Sequence, residues 1–163
     1  MSRDEVMERL QFTRIRFDRR IAAIPIEKMD ALVPARAHTP KQVVAHINAY
    51  EALIVERLQA ARTGNTTALF RDRVGWQEFN EQVLADSVDT SVHEVLEQSQ
   101  RVFKALIHEI MMLTDGDMCD DTGIMAHIDP AWLQGRTLAQ VIGVDAFEHY
   151  PMHYDELELA AAQ

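Results

Sequence analysis

Cysteine is nearly missing from this chain. Cys119 stands alone among 163 residues, so neither an internal disulfide nor a cysteine-based zinc finger is available, and the fold must rest on its core. Long apolar runs are missing too. No stretch of about 18 or more apolar residues occurs. The opening "MSRDEVMERL" is charged from Arg3 onward. These features exclude a membrane span and a secretory signal, and the expected location is cytoplasmic. Basic residues are scarce, with 16 Lys and Arg against 26 Asp and Glu, for a formal charge of −10. Such a balance repels phosphate backbones, so no nucleic-acid partner is expected. Convincing strand patterns, internal repeats and low-complexity tracts are absent as well. What is there is the composition of an ordinary globular chain, 47% apolar and 26% charged, which predicts one domain over residues 1–163.

Four long helical patterns fill most of it. The first opens at Ser2, whose relation to Glu5 is that of a capping box, and runs through Val6, Leu10, Phe17, Ile21 and Ile24 toward Pro25. Its opposite face is Arg-rich and reads as solvated. The second has Thr39 as N-cap, Pro40 in the first turn and Gly64 as its stop, with a stripe of Val43, Ile47, Tyr50, Ile54 and Leu58. The third begins at Ser91 with Glu94 three residues on and ends near Leu113. The fourth begins at Thr137, paired with Gln140, and continues to the chain end. The link between the second and third is long and holds an additional short helix, "VGWQEFNEQVLA". Such a crossover suits two parallel neighbours. The acidic link between the third and fourth, carrying Trp132, is too long for a turn and is expected to form a lid.

"FEHYPMHYDE", residues 147 to 156, places His149 and His153 four apart with Pro151 between them. On a helix, residues four apart share a face, roughly 5 to 6 Å between Cβ atoms, a spacing at which two imidazoles can ligate one ion. A pair of this kind alone more often packs in the core or sits at the surface with no ligand. His46 lies beside the inward stripe of the second helix, either as a core imidazole satisfied by a local partner or as a third ligand. Pro151 removes the donor to residue 147 and kinks the helix. The kink either aims the two rings at a common point or merely bends the helix end over the core.

The combined order of "TPKQVVAHINAYE", "VGWQEFNEQV" and "GRTLAQVIGVDAFEHYPMHYDEL" resembles the DinB-like superfamily, and within it the ClbS/DfsB branch. The resemblance spans nearly the whole chain and implies an all-α, DinB-like four-helix bundle with the second and fourth helices antiparallel. In that superfamily the corresponding histidines commonly hold a divalent metal, which implicates His46, His149 and His153 as ligands of nickel or zinc. Tyr50 stands where tryptophan is frequent. The superfamily includes thiol-dependent transferases and isomerases, and the branch includes self-protection proteins that open an electrophilic cyclopropane by hydrolysis. A metal-dependent hydrolase or thiol transferase acting on a small electrophilic substrate is therefore implied. A non-catalytic bundle that sequesters a small molecule is the alternative. Members often dimerise, and Leu69 and Phe70 in the crossover supply an apolar patch for a homodimer.

Three further residues qualify for catalytic roles. Glu51 follows His46 by just over a turn and serves either as a general base or water-orienting group, if held in an apolar pocket, or as a surface glutamate. Tyr50 and Tyr150 offer phenolic donors near the histidines or simply pack. Elsewhere the signals are weak. "DGDMCDDTG" lacks the glycine and glutamate of a calcium loop, with Asp120 and Ala126 in their places, and the aspartates around Cys119 disfavour a thiolate. His38, His93, His108 and His127 read as structural or exposed.

Overall fold

Each long helix begins where the sequence supplies a side-chain cap. In the computed structural model, which describes residues 1–65, 74–119 and 123–163, α1 (Arg3–Ala22) opens at Ser2 and α2 (Pro40–Arg62) at Thr39. The additional short helix α3 (Trp76–Val88) follows Gly75, whose φ of 82° needs a residue without Cβ. Helix α4 (Val92–Met111) opens at Ser91. Ser2, Thr39 and Ser91 each form a full capping box with the residue three further on. No strand occurs among the described residues. No helix among them is long and apolar enough to cross a membrane. The apolar patch at Leu69 and Phe70 lies outside the described residues.

The helix directions follow from side-chain bonds that span the bundle. Asn48 donates to the carbonyl of Val95, and Gln59 and Arg62 reach Glu109, so α2 and α4 advance together and are parallel, as the long crossover requires. Arg3 meets the carbonyl of Leu113 and Arg14 meets Ser99, which makes α1 antiparallel to α4. Between them lies a core that includes Leu10, Phe17, Ile47, Ile54, Leu106, Ile110, Leu138 and Leu157, each almost fully buried. Each such side chain contributes about 1.5–3 kcal/mol through burial.

Three expectations change. Arg14 belongs to the core, only 1% exposed, although the polar face of α1 reads as solvated. It sits in the seam Val6, Leu10, Arg14, Phe17, where three- and four-residue steps point inward. The acidic link is no lid. It folds into α5 (Asp115–Cys119), a 3-10 turn (Gly123–His127) and α6 (Pro130–Leu133), with Met118, Met125, Ile128 and Trp132 buried in the core. Once its apolar side chains are packed, lifting it would expose them to water. The final pattern is not one continuous helix but α7 (Leu138–Ile142), a π-turn (Gly143–Phe147), α8 (His149–Met152) and α9 (Tyr154–Ala161).

That interrupted run carries the functional residues. Thr137 and Gln140 cap it as the sequence predicts. Glu148 N–H donates to the carbonyl of Gly143 at 2.8 Å, a five-residue step that widens the helix. Gly143 is required there, because a Cβ would lie 2.8 Å from the ring of Phe147. The π-turn ends at Phe147, whose carbonyl is the one that Pro151 cannot serve as donor. The irregularity thus begins before the proline and one turn ahead of the first histidine. A second break falls at His153, with φ −104° and ψ 0°.

Candidate metal centre

His46 projects from the first half of α2 toward the start of α8 and the break that follows it. Its Nε2 lies 3.1 Å from Nε2 of His149, and Nε2 of His153 lies 3.4 Å from the same atom. One nitrogen from each ring falls within 4.8 Å of the others. The imidazoles converge although two elements carry them and the run holding two of them is broken. The same run meets α2 a second time, one step deeper, where Tyr150 reaches Glu51.

Burial controls the charge of His46 and His149. It pushes the pKa of His46 down to about 3, aided by His149, His153 and His38. It pushes that of His149 down to about 4, aided by His153 and opposed by the backbone of Asp145. Both are neutral near pH 7, with lone pairs available. Two facing nitrogens at 3.1 Å repel unless one carries a proton or both point at a shared cation. Nδ1 of His149 is buried, and the backbone of Asp145 acts on this ring without reaching hydrogen-bond geometry at that nitrogen.

The surroundings fix ring orientation. Nδ1 of His153 lies 3.1 Å from a carboxylate oxygen of Glu156, and the other oxygen lies 3.6 Å from Nδ1 of His38. A carboxylate on the outer nitrogen of an imidazole directs the inner lone pair toward a ligand site. Neither residue stands out in the sequence: His38 reads as structural or exposed, and Glu156 follows His153 by three residues without a motif. Tyr50 forms an aromatic wall. Its ring centroid lies 4.7 Å from that of His46 and 4.6 Å from that of His149, and it stacks on Trp76. Its hydroxyl donates to the Asn80 side-chain oxygen at 3.0 Å.

Glu51 is wholly buried. Both its oxygens accept from Arg14, at 2.9 and 3.2 Å, and one also accepts from the hydroxyl of Tyr150. Among the described residues, no hydrogen bond joins it to the three imidazoles. Burial raises its pKa to about 7, against the opposing pull of Arg14 and Tyr150. Burial and the neighbouring carboxylate raise that of Tyr150 well above 10. Arg14 completes its bonding with Asp18 and Ser99, and its guanidinium lies 4.5 Å from the ring centroid of Phe103. The α1 seam spacing is the signal that points to it.

A cavity of about 310 Å³ adjoins the histidines. His38, Gln42, Val43, Asn80 and Leu84 line it together with His46 and His153. Among the described residues, none of the lining side chains is Lys, Arg, Asp or Glu.

An all-helical bundle with three imidazoles facing one point, one buried and two half-buried, defines a narrow class. The chain belongs to the DinB superfamily, whose family model matches residues 9–154. No curated protein matches it in sequence. Its fold is that of several solved structures. An uncharacterised protein from Escherichia coli UTI89 is 15% identical with a TM-score of 0.80, covering 99% of this chain and 93% of that one. DfsB, described as a sibling lethal factor precursor, is 14% identical with a TM-score of 0.75, covering 96% and 93%. The colibactin self-resistance protein ClbS, solved in complex with a double-stranded DNA, is 13% identical with a TM-score of 0.74, covering 96% and 93%.

The ClbS complex overturns one expectation. Exclusion of nucleic acid from the charge of −10 does not stand, because a protein of the same fold is seen on DNA. Net charge sums the whole surface, whereas phosphate contacts need only a local group of cations.

Proposed function

We propose that this chain is a metal-dependent enzyme, a hydrolase or a thiol-dependent transferase, that acts on a small electrophilic molecule in self-protection or detoxification. The observation that carries this reading is the meeting of His46, His149 and His153 through one nitrogen each within 4.8 Å. The donor set fits a resident divalent ion. Two nitrogens ligating one ion at about 2.0–2.1 Å stand about 3.3 Å apart at tetrahedral angles, and neutral imidazoles suit nickel or zinc. Such an ion, when bound, would lower the pKa of water or of a thiol and so supply a nucleophile at neutral pH.

The chain's own residues do the rest. Glu156 orients His153, and burial keeps His46 and His149 unprotonated. Tyr50 excludes water from one side of the rings. Glu51 and Tyr150 act behind the site, with Arg14, to hold α8 against α2. The fold shared with a self-resistance protein supports the protective role.

A direct test is turnover of a small cyclopropane electrophile, with and without a simple thiol, by protein loaded with nickel or zinc. The expected result is consumption that a chelator abolishes and added metal restores. Tight binding with no turnover under any loading would replace the enzyme with a sequestering bundle.

A further inference from the structure

Two primary amides line the cavity beside the histidines, and each has its oxygen already in use. The oxygen of Gln42 accepts from the backbone N–H of Thr39 at 2.9 Å, as part of the cap of α2. A backbone N–H can only donate, so this contact fixes which end of the amide is the oxygen. The oxygen of Asn80 accepts from the Tyr50 hydroxyl at 3.0 Å. Each oxygen thus has one partner, whereas among the described residues neither NH₂ makes a hydrogen bond, so the wholly unengaged groups are the N–H donors. Val43 and Leu84 supply apolar surface, and no described lining residue is Lys, Arg, Asp or Glu. Gln42 and Asn80 are half-buried, and a ligand without an acceptor strips water from their N–H groups and offers nothing in return, so the cavity discriminates against it.

We infer that Gln42 and Asn80 are specificity-determining residues, and that the site takes a neutral molecule carrying carbonyl or amide oxygens close to its electrophilic carbon. The inference rests on the metal reading above and narrows its substrate class. A volume of about 310 Å³ lies at the small end of the range for ligand pockets. The carbonyl oxygens accept from the two NH₂ groups while the apolar part lies against Val43 and Leu84. No proton transfer at Gln42 or Asn80 is needed.

The test uses cobalt(II)-loaded protein and thiols that differ only in their tail. Their sulfur reports binding through a sulfur-to-cobalt absorption band. 3-Mercaptopropionamide is compared with 3-methylbutane-1-thiol, which has the same shape without acceptor or donor, and with 3-mercaptopropionate, which adds a charge. The amide is expected to bind about tenfold tighter than either, the yield of two neutral hydrogen bonds at roughly 3–10-fold each, less desolvation. In Gln42→Met with Asn80→Leu, which keep the approximate shape, add no charge and lose both NH₂ groups, that preference should disappear while the cobalt spectrum of the thiol-free protein is unchanged. If cobalt binds but the amide shows no preference, or the double variant keeps it, the inference falls and the metal reading stands. If cobalt does not bind the parent protein, the metal reading itself fails.

Discussion

The hydroxyl of Tyr150 donates to the buried carboxylate of Glu51, linking the residue after His149 to the helix that carries His46. Arg14 closes the same node from α1 through both carboxylate oxygens. Breaking a buried pair from one side leaves an uncompensated charge, which costs about 3–5 kcal/mol. Glu51→Ala should therefore lower the unfolding free energy by that amount, and Arg14→Met combined with Glu51→Leu should recover most of it. Denaturant titration of the three proteins checks this. A loss below about 1 kcal/mol in Glu51→Ala would mean that the node does not hold the bundle.

Glu156 bonds the outer nitrogen of His153. Its removal should weaken metal binding about 10–100-fold with little change in melting temperature, since Glu156 lies at the edge of the core. Glu156→Gln retains an acceptor oxygen and should keep more affinity than Glu156→Ala. Metal titration against a competing chelator ranks the variants, and equal affinity in all of them would remove Glu156 from the site.

The metal-free protein should lose stability in acid. His46 and His149 have folded pKa values of about 3 and about 4, against an ordinary 6.5. As pH falls from about 6.5 toward 4, the unfolded chain takes up protons that the folded chain refuses, and the unfolded state gains. Glu51, raised from 4.5 to about 7, works in the opposite sense: its contribution is present below 4.5 and lost as pH rises through 7. Replacing both histidines by Gln should flatten the acid loss between pH 6.5 and 4. Melting curves across that range test it, and an unchanged slope in the variant contradicts the neutral, buried imidazoles.

Gly143 and Pro151 shape the run that carries two histidines. Gly143→Ala drives a methyl into the Phe147 ring at 2.8 Å and should cost about 1–3 kcal/mol. Because the π-turn leads into α8, metal affinity should fall with it. Pro151→Ala restores a donor opposite the carbonyl of Phe147, so it should raise the melting temperature while weakening metal binding. A Pro151→Ala protein that melts higher and binds metal as tightly as its parent would separate the proline from the site.

Local chemistry made much of this legible in advance. Ser2, Thr39, Ser91 and Thr137 announce helix starts because a cap and its partner lie three residues apart, and no tertiary knowledge is needed. The three histidines were visible as spacing and resemblance. Arg14 is hidden by its type: its position in the α1 seam reads as inward, but burial of a guanidinium is tolerable because Glu51 and Ser99, both distant in sequence, join Asp18 in pairing it. His38 and Asn80 gain their roles from neighbours in other elements, which helical periodicity does not encode, whereas Glu156 stands three residues after His153, a helical spacing that a chain full of charged residues makes easy to overlook. The link bearing Trp132 reads as a lid because it is acidic and too long for a turn, while its few apolar residues anchor it in the core.

The central claim is that His46, His149 and His153 hold one divalent ion. Elemental analysis of protein loaded with nickel or zinc and then desalted measures it directly, alongside the variant with all three histidines changed to alanine. About one ion per chain in the parent and none above background in the variant is the expected result. Metal content no higher in the parent than in the triple variant would contradict it.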